Sequence, residues 1–255
     1  MTRDSNGFRT ILVTGSTGGL GRALALEYAA PGRTLLLHGR DATVLDFVSA
    51  ECRSRGAVAH SIVADLGDAS AWARQLREVD AATPIDLAFV NAAAASFDSG
   101  GGESWDEADA LLAVNVRAAI ATAATLAATM RSRGHGHLAL ISSLAAWHGL
   151  PRTPAYSASK AALKAYGEAL HGSLHGHGVG VTVVMPGYIR TSMAERDPRS
   201  KPWMLDAGDA ARRIARGVAN RRARIAFPQP IAYATHLLAI LPASWSSWIV
   251  RRLRY

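Results

Sequence analysis

The sequence predicts a doubly wound α/β fold, a parallel sheet of about seven strands flanked by helices. Three features predict it. Short apolar runs alternate with longer helical stretches, as in repeated βαβ units. The runs are apolar throughout rather than at every second position, which suits strands covered on both faces. A glycine-rich turn, Gly15-Ser16-Thr17-Gly18-Gly19-Leu20-Gly21, separates the first run from the first helix.

The elements follow in order. Thr10-Ile11-Leu12-Val13 reads as the first strand, with a helix over residues 20–30 beyond the glycine turn. Leu35-Leu36-Leu37-His38 is the second strand, residues 58–64 the third and Asp86-Leu87-Ala88-Phe89-Val90 the fourth. Ser104-Trp105-Asp106-Glu107 forms a Ser-x-x-Glu capping box after Gly100-Gly101-Gly102, and opens an alanine-rich helix to about Met130. His137-Leu138-Ala139-Leu140-Ile141 is the fifth strand, residues 179–184 the sixth and Arg224-Ile225-Ala226-Phe227-Pro228 the seventh. With no tandem repeat and no linker, residues 1–255 read as one domain, of which 224–255 form a strand and an amphipathic extension.

A hydrophobic fraction of 49% and a charged fraction of 19% suit a soluble globular chain that needs no disulfides. Cys52 has no second cysteine to pair with, and the polar start Met1-Thr2-Arg3-Asp4 lacks the apolar core of a signal peptide. Both fit the cytoplasm. The net charge of +8 is concentrated late: no acidic residue follows Asp209, whereas nine arginines from Arg212 to Arg254 do. Such a run is commonly a solvated face, and no nucleic-acid-recognition module accompanies it. No nucleic acid and no metal are expected.

Two groups of residues carry chemistry. A glycine turn at the first β→α junction lets the backbone approach a pyrophosphate, which then rests on a helix N-terminus. Alone, such a turn is also compatible with an ordinary loop. The second strand ends His38-Gly39-Arg40-Asp41, with glycine where an NAD site offers a carboxylate to the ribose. Arg40 would pair the 2′-phosphate of NADP(H), or else pair with Asp41, which also reads as a helix cap. NADP(H) is therefore favoured over NAD(H). Further on, Ser143 closes the fifth strand, and Tyr156 and Lys160 stand one turn apart on one helix face. A phenol near a lysine ammonium and an oxidised nicotinamide would have its pKa lowered from about 10 toward a working proton donor's range.

Over residues 10–193 the sequence resembles the classical short-chain dehydrogenase/reductase family, whose fold is a single Rossmann-type domain. The family's Thr-Gly-x-x-x-Gly-x-Gly matches Thr14, Gly15, Gly19 and Gly21, and its adenine-contacting acid matches Asp65, followed by Leu66. Its Asn-Asn-Ala-Gly is kept only in part, as Val90-Asn91-Ala92-Ala93, which puts local geometry in doubt more than chemistry. Asn115, Ser143, Tyr156 and Lys160 match the catalytic tetrad. Pro186-Gly187 and Thr191 match the segment contacting the carboxamide, with Ile189 between them. The resemblance implies an oxidoreductase acting on a carbonyl or alcohol of undetermined identity. Tyr156 would move the proton, Ser143 polarise the substrate oxygen, Lys160 bind the ribose and Asn115 anchor a water relay. The cofactor would touch Gly15, Thr17, Gly18, Gly19, Leu20, Gly21, Arg40, Asp65, Leu66, Asn91, Ala92, Ala93, Tyr156, Lys160, Pro186, Gly187, Ile189 and Thr191. The resemblance also implies a homodimer or homotetramer.

Substrate contacts are expected from Ser143, Trp147, Tyr156 and Tyr188, with Leu144, His148, Leu150, Met193, Trp203 and Met204 nearby in a roomy, partly apolar pocket. Loop aromatics are equally often packing residues, and His148 reads as an ordinary loop histidine. Residues 225–250 carry no formal charge but contain three prolines, so they do not read as a membrane span. Two short amphipathic helices ending in Trp245, Trp248, Arg251, Arg252 and Arg254 fit better. They could cap the pocket, form a dimer interface or lie on an anionic membrane. Three rivals stand beside the reading: a nucleotide-sensing scaffold without turnover, an enzyme epimerising or dehydrating a nucleotide sugar, and one acting on a sugar or lipid precursor of the cell envelope.

Overall fold

Every strand of the main sheet runs parallel to its neighbours, because each is reached through a helix that returns the chain to the starting edge. The computed structural model describes residues 7–95, 103–195 and 203–252. The expected polar start, the run Gly100-Gly101-Gly102 and Arg254 lie outside the described residues.

The first half alternates β1 (Thr10–Thr14), α1 (Gly19–Tyr28), β2 (Thr34–Gly39), α2 (Ala42–Ser54), β3 (Val58–Val63), α3 (Ala69–Ala82) and β4 (Leu87–Val90). A long helical stretch follows, comprising α4 (Trp105–Leu112), a π-helical turn (Ala113–Ala118) and α5 (Ala119–Arg133). Then come β5 (Gly136–Ile141), α6 (Pro154–Ser173), β6 (Val179–Pro186), β7 (Ile189–Arg190), α7 (Ser192–Glu195), β8 (Leu205–Asp206) and α8 (Ala207–Ala219). The described chain closes with β9 (Arg224–Phe227), α9 (Gln229–Ile240) and α10 (Ala243–Arg252).

The seven-stranded sheet has the order β3-β2-β1-β4-β5-β6-β9. Alternate side chains of β1 serve opposite layers, as a strand's period of two requires. Ile11 and Val13 join Leu24 of α1, Val48 of α2 and Ile214 of α8. Leu12 joins Trp72 of α3, Leu126 of α5 and Leu163 of α6 on the other face. Each such side chain, fully withdrawn from water, contributes about 1.5–3 kcal/mol.

Several expectations are refined. The third strand was expected to be covered on both faces, but β3 lies at the sheet edge, and its Val58 and Val63 are about half exposed. The β7–β8 pair forms a separate two-stranded sheet that the sequence did not announce. The capping box is present, with Ser104 and Glu107 bonding each other's backbone. Its helix, expected to end near Met130, continues to Arg133 and is interrupted by the π turn around Asn115. The stretch from Trp105 to Arg133 is long and apolar enough to cross a membrane by composition, but here Leu111, Ala118, Leu126 and Met130 are buried, most of them in the core against α3.

Two buried histidines tie fold stability to pH. Burial pushes His38 down to about 4 and His137 down to about 3. Both values lie below the ordinary 6.5, so the unfolded chain takes up these protons first. Stability is complete above about pH 6.5 and is lost as pH falls toward 4, by several kcal/mol in all. Melting temperature measured between pH 7 and 4 should fall steeply, and His137→Gln should flatten that slope by about half; an unchanged slope would remove His137 from the account.

Candidate active site

The carboxyl ends of the central strands open into one cavity of about 950 Å³. It lies where the strand order reverses between β1 and β4, because the chain leaves β1 toward one edge and later returns to build the other.

The nucleotide side is built by backbone. Thr14 at the end of β1 donates its hydroxyl to the Phe89 carbonyl (3.2 Å) and accepts from the N–H groups of Asn91 (2.9 Å) and Ala92 (3.1 Å). The Asn91 amide in turn donates to the carbonyls of Thr14 (2.9 Å) and Gly15 (3.3 Å). The ends of β1 and β4 are thus locked together. Gly15 turns the chain at φ +67°, a left-handed conformation that favours glycine, and a Cβ there would lie 2.8 Å from the Ala92 Cα. A Cβ at Gly21 would lie 2.1 Å from the Gly15 carbonyl oxygen, so α1 sits against the turn with no room for a side chain. No side chain caps α1 and no acid stands in its first turn. Its free N–H groups therefore suit an anionic ligand.

His38, which the sequence reading left without a role, holds this turn from below. Its Nδ1 accepts from the Gly15 N–H (3.2 Å), and its Nε2 meets the Ala64 carbonyl (3.2 Å), which fits a neutral ring protonated at Nε2. Burial, the main cause of its low pKa, keeps the ring in that form. The signal available in the sequence was a polar residue closing an otherwise aliphatic strand. Beside it, Arg40 and Asp65 stand exposed on the cavity rim. Among the described residues no carboxylate pairs with Arg40; Asp41 instead caps α2 by accepting from the Val44 N–H (3.1 Å). A side chain at Gly39 would start 2.7 Å from Thr17 Cγ2, which leaves little room for an acid there.

The chemical side is built by β5 and α6. Ser143 lies just past β5 with its Oγ accepting from the Ala145 N–H (3.1 Å). Lys160 is buried, donates to the Ile141 carbonyl (3.0 Å) and stands 5.5 Å from the centre of the Tyr156 ring. Burial pushes the Lys160 ammonium down to about 8. Burial also raises the Tyr156 phenol, offset in part by the Ser143 hydroxyl beside it. The direction is thus opposite to the lowering expected: desolvation is the larger effect and the Ser143 hydroxyl offsets only part of it.

Every residue expected at the cofactor, from Gly15 through Thr191, lines this one cavity together with Ser143, Tyr156 and Tyr188. Two expectations are corrected, at Trp147 and Met204, and Asn115 stands apart from the lining. Asn115 is buried behind the wall: its amide brackets Ala94, accepting from the N–H (2.7 Å) and donating to the carbonyl (2.9 Å), and also donates to Ser159 (3.1 Å). It positions the chain after β4 and the start of α6. Trp147 does not line the cavity, because its ring is held between Lys164 (4.7 Å) and Arg224 (4.8 Å) and packs edge-on against His236 of α9 at 4.4 Å. It anchors α9 to the body. His148, Leu144, Leu150 and Trp203 line the cavity as expected from the sequence, whereas Met204 does not. The Met193 side chain lies outside the described residues. The far wall is supplied by α9 through Pro230, Ile231, Ala234, Thr235 and Leu238, with Val250 from α10, in line with the pocket-capping alternative for the C-terminal helices; which residues face inward could not be read from the sequence.

A parallel sheet with a glycine turn at its switch point and a Ser–Tyr–Lys group at its carboxyl edge defines a class, the dinucleotide-fold oxidoreductases. The model of the short chain dehydrogenase family matches residues 9–201, and this chain belongs to that family. An uncharacterised oxidoreductase of Myxococcus xanthus is 33% identical over 248 residues, covering 97% of this chain and 98% of that protein. A short-chain dehydrogenase from Sphingobium yanoikuyae in complex with NADPH shares the fold, with a TM-score of 0.80 over 96% of this chain and 94% of that one at 24% identity. The crystal structure of a candidate NAD(P)-dependent gluconate 5-dehydrogenase from Beutenbergia cavernae, with NADP bound at low occupancy, has a TM-score of 0.76 and 28% identity over 87% of this chain and 95% of that one.

The closeness of α1 to the turn gives a direct test. Gly21→Ala forces the Gly15 carbonyl or α1 to move, and should lower stability by about 1–3 kcal/mol in a urea titration. Ala23→Gly in the same helix should cost only about 1 kcal/mol. Equal losses would show that the contact is not tight.

Proposed function

We propose that this oxidoreductase exchanges hydride between NADP(H) and a carbonyl or alcohol substrate. The observation that carries the reading is that Ser143, Tyr156 and Lys160 meet in the same cavity as the glycine turn. The glycine cradle, the uncapped start of α1 and the Thr191 side chain packed over Gly19 fit a dinucleotide laid from Arg40 to Tyr156. Bound there, the nicotinamide supplies or receives the hydride at the substrate carbon.

The protein's own groups handle the proton. The Tyr156 phenol donates its proton to the substrate oxygen in reduction, and in oxidation the Tyr156 phenolate accepts the proton from the substrate hydroxyl. Because burial raises its pKa, the phenol is in the donor form at neutral pH. Ser143 holds the same oxygen. Lys160 keeps most of its charge below about pH 8 and favours the phenolate that each reduction leaves behind. Arg40, exposed and without a carboxylate partner among the described residues, is the group for a 2′-phosphate, and the NADP bound to the Beutenbergia cavernae relative agrees with that choice. On the substrate side, Leu144, Leu150, Ile231 and Leu238 offer apolar surface, so the reading favours an apolar ketone or secondary alcohol.

Steady-state reduction of an apolar ketone provides the tests. Tyr156→Phe should lower kcat by about 10²–10⁴ while NADPH still binds; turnover within a fewfold of the parent would remove Tyr156 as proton donor. Arg40→Ala should lower kcat/KM for NADPH by roughly tenfold or more and leave that for NADH nearly unchanged. Equal losses with both would contradict the 2′-phosphate assignment.

A further inference from the structure

The helices that close the cavity have a second, outward side. On α9 the residues at positions 231, 234, 235 and 238 face the cavity. Tyr233, Leu237 and Ile240, spaced four and three apart, form another stripe, and each is more than half exposed. On α10, Ser246 and Val250 are buried, while Trp245 and Trp248 are more than 60% exposed. Arg252 follows Trp248 by four residues and so shares its face, and Arg251 lies beside it, also exposed. Five large apolar side chains and two arginines thus point away from the body on the two helices that wall the cavity.

Charge selects what this face meets. Among the described residues no carboxylate of the chain pairs with Arg251 or Arg252, whereas Arg224 is taken up by Glu168, so an acidic counterpart for the two is left to a partner. A second copy of the same face would bring Arg251 and Arg252 against like charges if the two faces stacked directly. Exposed tryptophans beside arginines on a short amphipathic helix are suited to the boundary of an anionic bilayer, where indoles sit at headgroup depth and guanidinium groups pair phosphates.

We propose that the outer face of α9 and α10 docks on an anionic lipid surface, and that the cavity behind it takes an apolar, bilayer-dissolved carbonyl or alcohol. The docking stands on the two helices alone; the substrate class rests on the hydride-transfer reading. Trp147, clamped between Lys164 and Arg224 and against His236, fixes α9 so that its inner stripe meets substrate while its outer stripe meets lipid.

Co-sedimentation of the full chain with vesicles tests the docking without any turnover. The protein should pellet with phosphatidylglycerol–phosphatidylcholine vesicles at low salt and much less with pure phosphatidylcholine. Trp245→Ser with Trp248→Ser should weaken binding by roughly tenfold or more, and Arg251→Gln or Arg252→Gln by about fivefold each. No pelleting with anionic vesicles, or pelleting unaffected by the tryptophan pair, would overturn the proposal. So would a parent dimer that the tryptophan pair converts to monomer by light scattering, since that gives the face to a second copy. Ketone reduction then separates the two layers. The tryptophan pair should keep its kcat/KM for a water-soluble ketone and lose it selectively for a long-chain ketone held in vesicles. Vesicle binding without any turnover would leave docking intact and overturn the substrate assignment.

Discussion

The close approach of α1 to the turn at Gly15 is the contact on which the site depends. With a Cβ at position 21 only 2.1 Å from the Gly15 carbonyl oxygen, the helix can start where it does only because residue 21 is glycine. The turn itself is held on two further sides, by Asn91 and Thr14 from β4 and β1 and by the His38 ring from β2. Three strands therefore fix one peptide, and the N–H groups at the start of α1 inherit that fixed position. A backbone cradle of this kind is preorganised, so little is lost in ordering it when a ligand arrives.

The chemical group is placed by the same logic one strand pair further along. β5 delivers Ser143, and α6 delivers Tyr156 and Lys160 on one face, with the Lys160 ammonium tied back to the Ile141 carbonyl. Asn115 locks this region from behind, bonding Ala94 on one side and Ser159 on the other. The π turn at 113–118 is where that asparagine sits, which fits the tendency of such turns to mark functional sites. Two burial effects then act together: both the lysine and the tyrosine are pushed toward their neutral forms, so the proposed proton transfer through Tyr156 would start from a protonated phenol.

Much of this was legible in the sequence because it rests on local spacing. Strand runs, the capping box, the glycine turn and the Tyr156–Lys160 pair each depend on residues within a few positions of one another, and each is where it was expected. What was not legible depends on distant partners. Trp147 reads as a pocket aromatic until Lys164, Arg224 and His236 are brought around it by α6, β9 and α9. Asn115 reads as a site residue by resemblance, and its partners, Ala94 and Ser159, lie 21 and 44 positions away. His38 reads as a strand residue, and its bond to Gly15 spans 23 positions. The far wall of the cavity comes from α9, whose sequence shows only that it is apolar, not which side faces inward.

The central claim is that the cavity at the β1–β4 reversal binds a reduced dinucleotide with its nicotinamide end toward Tyr156. Energy transfer from protein tryptophan to bound NADPH measures this directly, since Trp203 lines the cavity. Saturable one-to-one quenching of tryptophan emission, with matching growth of nicotinamide fluorescence that an excess of NADP⁺ reverses, is the predicted result. Absence of transfer at NADPH concentrations up to the millimolar range, in a protein that remains folded by circular dichroism, would contradict the account.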